Sequence, residues 1–147
     1  MQRQELPLML ASSLARQGAE VFPLDRVRMQ KAIFLLVQRG SEGWRRLYDY
    51  TPYNWGPYSR DLTIDVENLT RSHWLTEETV PGSHYPRYAT TPAGDHAASA
   101  SWVHLNSPEQ QFLRQVRSYV TSRSFNDLLR EVYAAYPEYA TESRFTG

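Results

Sequence analysis

The chain has 147 residues, 41% of them hydrophobic, which is enough for one ordinary domain with its own core. It has no cysteine, which excludes disulfides, thiolate zinc sites and a cysteine nucleophile, and its 16 basic and 16 acidic residues cancel, so net charge does not indicate a nucleic-acid partner. The longest apolar run, residues 32–37, is too short to cross a membrane, and we expect a soluble cytoplasmic protein without a membrane partner.

Two helices are predicted in the first 40 residues. Apolar side chains recur at helical spacing from Leu6 to Gln17. A second helix is expected to begin at Asp25, a favourable N-cap, and to run to Arg39, with Gly40 as its stop. Its apolar face is so wide that it predicts a largely buried central helix.

A short strand, a helix and a hairpin are expected next. Residues 46–53 are rich in strand formers, although Pro52 confines the strand to an edge or an end. Residues 56–59 predict a turn that starts a helix capped by Ser59 and ending near Ser72. A hairpin with arms near residues 74–80 and 85–90 follows.

The last third of the chain is predicted to be helical. Thr91-Pro92 opens one helix, Ser107-Pro108 a second with Ser107 as its cap, and Ser124 a third that stops at Pro137. Residues 138–147 are expected to be a frayed tail. The last two helices either close the core of the preceding residues or form a homodimer interface.

This order of elements indicates an α+β, mostly helical fold. It predicts a winged helix-turn-helix with a two-stranded wing hairpin and a C-terminal helical extension. The winged-helix domain would span residues 1–106, and the extension, packed on the same core or dimerising, residues 107–147.

Several motifs suggest a family. They are residues 29–36 in the central helix, Tyr50 and residues 53–59 around the turn, His73-Trp74-Leu75 before the hairpin, residues 88–94 after it, and residues 128–139 near the end. Together they resemble the YwgA-like winged-helix proteins of bacteria and archaea and, more distantly, the SocA-type Panacea-domain antitoxins. The resemblance covers residues 25–140 and implies a winged-helix fold. The chain departs from the Panacea pattern in that Gly56 follows Trp55 directly.

The fold suggests DNA binding as the working hypothesis. In a winged helix, the helix before the hairpin enters the major groove and the hairpin tip touches the backbone or minor groove. The candidate DNA-binding residues are Ser59, Arg60, Asn68, Arg71, His84 and Arg87. Asp61, Asp65 and Glu67 lie on the same helix and would oppose a phosphate surface. Further backbone contacts could come from the basic N-terminal part, including Arg28 and Lys31. The hypothesis is a regulator of transcription that binds duplex DNA.

An aromatic cluster supports a second hypothesis. Tyr48, Tyr50, Tyr53 and Trp55 could form a partner-binding surface, since Tyr and Trp concentrate at interface hot spots. Alternatively, they pack between the central and third helices. The surface alternative describes a protein–protein interaction module, antitoxin-like or adaptor-like, that uses the same scaffold without binding DNA.

Signals for enzyme chemistry are weak. The four histidines have no spacing typical of a metal site, and the scattered glycines form neither a Walker loop nor a nucleophile elbow. We therefore expect no catalytic residues, no metal and no cofactor.

Overall fold

The computed structural model describes residues 1–145, which form an α+β, mostly helical fold. The helices are α1 (Glu5–Ala11), α2 (Arg26–Arg39), α3 (Arg60–Arg71), α4 (Pro92–Trp102), α5 (Ser107–Ser122) and α6 (Phe125–Ala135). The strands are β1 (Thr51–Tyr53), β2 (Gly56–Tyr58), β3 (Leu75–Glu78) and β4 (Arg87–Thr90). They pair antiparallel as two separate hairpins, β1 with β2 and β3 with β4.

Helix α2 lies at the centre of the core, as predicted. The Asp25 side chain accepts a hydrogen bond from the Arg28 backbone N–H, and the helix ends at Gly40. Ten consecutive residues, 28–37, are buried. A helix buried on all sides is expected from an apolar face this wide, because its neighbours must cover it completely.

Helix α1 is shorter than predicted. It ends at Ala11, and Ser12 is extended, with its hydroxyl donating to the Met9 carbonyl at 2.7 Å. A serine that bonds back to a nearby carbonyl competes with helix continuation. The prediction of one helix to Gln17 is therefore wrong beyond residue 11, where a 3-10 turn at Ser13–Ala15 follows.

The strand predicted over residues 46–53 is also wrong in most of its length. Only Thr51–Tyr53 is extended, and its partner is Gly56–Tyr58, where a turn was expected. Pro52 faces Pro57 in this register, which is possible only at a non-hydrogen-bonded pair because proline has no N–H to donate. The hairpin turns at residues 54–55, and Gly56 has a φ of 94°.

The second hairpin follows α3 after three intervening residues and is shorter than predicted, with four residues in each arm. The Tyr88 N–H donates to the Leu24 carbonyl at 2.9 Å, so β4 is tied to the segment before α2. Thr91 caps α4 by accepting from the Gly94 N–H, and its hydroxyl donates to the His73 carbonyl. A Cβ at Gly94 would overlap the Trp74 carbonyl, which requires glycine at this helix–hairpin contact.

Helices α5 and α6 contribute to the same core as the first 106 residues. The apolar stripe of both helices is buried with α2, through Leu113, Val116, Val120, Leu128 and Val132. The homodimer stays a prediction.

The predicted cap of α5 is one residue off. Asn106, not Ser107, is the N-cap: it exchanges hydrogen bonds with Glu109 in a complete capping box. The Gln110 side chain, which a Ser107 cap would need, instead donates to the Trp102 carbonyl.

The predicted frayed tail is wrong for residues 138–145. A 3-10 turn spans Pro137–Ala140, and the Tyr139 ring packs edge-on against Phe34 at 5.0 Å. The Arg144 N–H donates to the Asn54 carbonyl at 2.9 Å. The segment therefore covers α2 and the β1–β2 turn. Residues 146 and 147, the end of the expected tail, lie outside the described residues.

Candidate functional site

A cleft of about 510 Å³ opens between α2, the β1–β2 hairpin, α3 and the β3–β4 hairpin. Its inner wall consists of buried apolar side chains, including Met29, Leu62 and Val66. A concave apolar site of this volume that also carries a few polar groups is typical of small-ligand pockets.

Lys31 is the buried cation in the described lining of this cleft. Its side chain comes from the middle of α2, is 3% exposed, and donates from Nζ to the Pro57 carbonyl at 3.2 Å. Burial lowers the pKa of Lys31 to about 7, and the nearby Asp25 carboxylate opposes part of that shift. The amine is therefore about half neutral near pH 7.

Gln30 fixes the geometry beside Lys31. Its amide nitrogen donates to the Ser59 carbonyl and to the Thr63 hydroxyl, both at 3.0 Å, and its oxygen accepts from the Ser59 N–H at 2.9 Å. These bonds join α2 to the start of α3. Because they occupy the buried amide's donors and acceptor, Gln30 is a structural member of the site.

Three exposed aromatic side chains stand at the cleft: Tyr53, Trp55 and Tyr85, here called the aromatic rim. They are 50%, 37% and 44% exposed, high values for such large apolar groups. Tyr53 stacks on Tyr58 with ring centroids 4.7 Å apart, and Trp55 packs edge-on against Phe125 at 5.5 Å. Tyr53 and Trp55 are thus each held by another ring, and all three rim side chains are open to solvent.

The six candidate DNA-binding residues differ in exposure and in their charged neighbours. Ser59 is buried and caps α3 by accepting from the Leu62 N–H, so its hydroxyl is not at the surface. Arg60, Asn68, Arg71, His84 and Arg87 are exposed. Arg71 lines the cleft together with Glu67 and Glu77, and Arg87 pairs with Glu78 at 2.9 Å. Acidic side chains therefore accompany two of these arginines.

The basic N-terminal part offers less charge at the surface than the sequence suggested. Arg28 is buried, pairs with Asp25 at 2.7 Å and donates to the Val120 and Arg123 carbonyls. Lys31 is buried in the cleft. Neither side chain is placed to contact a nucleic-acid backbone.

The four aromatic candidates divide into two pairs. Tyr53 and Trp55 are exposed at the rim. Tyr48 is buried, with its hydroxyl donating to Asp65 at 2.6 Å, and Tyr50 packs edge-on against Phe34. The alternative in which the tyrosines pack between helices describes Tyr48 and Tyr50.

The sequence does not predict that Lys31 or Tyr85 lies in a cleft, and it suggests Lys31 only as a contact to a nucleic-acid backbone. Lys31 could have been noticed in the sequence, because it is the only lysine of the chain and directly precedes the apolar run of a helix expected to be buried. Tyr85 follows the turn of the second hairpin, and its position at the cleft depends on how that hairpin folds over α3.

The histidines and carboxylates of residues 1–145 do not group as metal ligands. All four histidines are exposed. Within residues 1–145, no three His, Asp or Glu side chains are grouped so that they could hold a metal ion. No helix in the same range combines the length and apolar composition needed to cross a bilayer.

No family model, curated protein sequence or solved structure matches the chain. The resemblance to the YwgA-like and Panacea-domain proteins therefore stays a prediction based on the motifs quoted above.

Proposed function

We propose that the protein is a non-catalytic interaction module that binds a partner protein through the aromatic rim. The observation that carries the proposal is the exposure of three large aromatic side chains around one concave site. Aromatic side chains that are exposed in the free protein and become buried on binding contribute much of the binding energy at many protein interfaces. This arrangement corresponds to the antitoxin-like or adaptor-like interaction module that the aromatic cluster of the sequence suggested.

Charge around the rim supports a protein partner over a polyanion. Glu67 of α3 and Glu77 of β3 line the same cleft as Arg26 and Arg71. Glu77 lies 3.9 Å from Arg26, an ion pair across the opening. A mixed-charge border around an apolar centre is typical of protein interfaces, whereas phosphate backbones favour a uniformly basic surface.

The proposal is tested by site-specific photo-crosslinking followed by affinity measurements. A benzophenone amino acid at Tyr85 is expected to give a discrete adduct in cells, and the same group at exposed Val103, away from the cleft, is expected to give none. With the adduct's purified partner, Tyr53→Ala and Trp55→Ala should each weaken binding about 30-fold, the effect of a 2 kcal/mol hot spot. Val103→Ala is the matched control. Equal adducts at both positions, or unchanged affinity of the rim variants, would contradict the proposal.

DNA binding is the second candidate, favoured by the order of the elements. We propose for it that α3 is a recognition helix and β3–β4 the wing of a winged helix-turn-helix. The exposed Arg60 and Arg71 would then face the groove, with Arg87 and His84 at the wing. The connection from α2 to α3 is residues 40–59 and includes the β1–β2 hairpin, which is longer than the three- or four-residue turn of a simple helix-turn-helix.

Fluorescence anisotropy with a generic duplex of about 30 base pairs tests this second candidate. We expect micromolar binding at low salt that weakens steeply toward roughly 200 mM salt, because released counterions drive the association. Arg71→Ala and Arg87→Ala should weaken it, while Arg130→Ala on α6 should leave it unchanged. The absence of binding at low salt would remove DNA as the partner.

A further inference from the structure

Lys31 differs from every other buried charged residue in the part of the chain that the structure describes. Asp25 and Arg28 pair with each other at 2.7 Å, Asp65 pairs with Arg3 at 2.8 Å, and Arg117 pairs with Glu20 at 2.8 Å. Lys31 has no carboxylate within ion-pair distance among residues 1–145. Burying a cation without a paired anion lowers the stability of the folded protein. The position of Lys31 in a cleft therefore suggests a role other than stabilising the fold.

The amino group also has unused hydrogen-bonding capacity. An ammonium has three N–H donors, and Lys31 uses one of them within the described residues, toward the Pro57 carbonyl. The adjacent polar groups are already occupied, since Gln30 and Ser59 bond to each other. The Lys31 ammonium therefore has two N–H groups left with which it can donate hydrogen bonds to a ligand in the cleft.

The remaining residues of the cleft indicate the shape and charge of a ligand that it could bind. The apolar lining of Met29, Leu62 and Val66 favours a compact apolar body, and the aromatic rim can cover a flat group at the entrance. The opening carries two acidic residues, Glu67 and Glu77, and two arginines, Arg26 and Arg71, whose charges offset each other. The one recessed cation, Lys31, therefore favours a ligand with a single negative charge over a dianion such as phosphate.

We propose that the cleft is a binding site for a small monocarboxylate with an apolar or aromatic body, and that its carboxylate pairs with the Lys31 amino group. The inference goes beyond the proposed function and does not depend on it, because the contact that carries it is made by the recessed Lys31 and by none of the rim side chains.

Binding of a carboxylate should depend on pH through Lys31. A pKa near 7 means that the free amine is mostly protonated at pH 6 and mostly neutral at pH 8, so binding is expected to weaken about tenfold between these values. No histidine lines the described cleft. The other charged or titratable groups around Lys31 are Asp25, Arg26, Glu67, Arg71, Glu77, Tyr53, Tyr58, Tyr85 and Tyr88.

The single lysine makes a direct test possible. With lysine labelled in ¹³C and ¹⁵N, the only side-chain lysine signal belongs to Lys31. Phenylacetate and indole-3-acetate at millimolar concentration are expected to shift this signal and to raise its titration midpoint by at least about one pH unit, because an ion pair favours the charged form. Phenylacetamide, a neutral analogue of similar shape, is expected to do neither.

Calorimetry on two variants distinguishes binding at Lys31 from binding to a cation at the cleft opening. Lys31→Met should lose at least tenfold in phenylacetate affinity at pH 6, whereas Arg26→Met, which removes a cation from the cleft opening, should lose less than threefold. A lysine signal unmoved by either carboxylate, or moved equally by the amide, would overturn the proposal. Equal losses in the two variants would also overturn it, and the labelled wild-type measurement remains decisive if a variant does not fold.

Discussion

The free energy of unfolding is expected to rise by about 3 kcal/mol between pH 6 and pH 9.5, and Lys31→Met is expected to abolish most of that rise. Burial lowers the pKa of Lys31 from 10.5 to about 7 in the folded protein. Between these two values the unfolded chain binds a proton that the folded protein has released, so raising the pH favours the folded state. Below pH 7 both states are protonated, and the folded state bears the full cost of the buried charge.

Urea unfolding of the wild type and of Lys31→Met at several values of pH measures the effect. Methionine fills the space of the lysine side chain without bringing a charge into the core. At pH 6 the variant should therefore be the more stable protein by a few kcal/mol. Arg45→Met, which removes an exposed cation before β1, is the matched control and should keep the wild-type slope. The series should stop below pH 10, because burial raises the pKa of Tyr88 to about 12 and stability then falls as tyrosines ionise in the unfolded chain. A slope that persists in Lys31→Met would assign the pH dependence to other groups.

Arg117→Met is expected to have the largest effect on stability at neutral pH, a loss of about 3–5 kcal/mol. Arg117 is buried in α5, forms two hydrogen bonds with the Glu20 carboxylate, and donates to the Leu10 and Ser12 carbonyls at 2.9 and 3.0 Å. These carbonyls lie where α1 ends. Removing the guanidinium leaves a largely buried carboxylate and two buried carbonyls without their donor.

Thermal unfolding is expected to show this loss as a fall in Tm of roughly 10 °C or more. Arg130→Met removes an exposed arginine that pairs with Asp127 on the surface of α6, and should change stability by less than about 0.5 kcal/mol. Similar small effects in the two variants would mean that the Arg117 network contributes little, and that α1 is held by apolar packing alone.

Helix-capping preferences and hydrophobic periodicity predicted the helices whose ends depend on residues nearby in the sequence. Asp25 and Gly40 bound α2, Ser59 caps α3, and Thr91 and Ser124 cap α4 and α6 as expected. In each case the capping side chain bonds a backbone N–H three residues ahead, a contact that the sequence shows directly. The wide apolar face of α2 likewise predicted its burial, because periodicity reports how much of a helix must be covered.

Long-range contacts account for the predictions that were wrong. Residues 46–50 have strand-forming side chains, but the Tyr48 hydroxyl reaches Asp65 of α3 and draws the segment into the core as a loop. Helix α1 ends where Arg117, more than 100 residues away in sequence, binds the Ser12 carbonyl. Residues 138–145 pack on the protein because Phe34 receives Tyr139. Propensity cannot foresee such partners.

The sequence by itself therefore determined the helical, α+β character of the protein, the caps of its central elements, and the single lysine within an apolar helix. These features follow from hydrophobic periodicity and from contacts between residues three or four positions apart, both of which can be recognised in the sequence itself. Only the tertiary structure decided which aromatic residues stay exposed, which arginines are paired, and that Lys31 lies in a cleft formed by α2, α3 and two hairpins. That cleft arises from packing between distant segments, and the burial that alters the chemistry of Lys31 exists only after those segments meet.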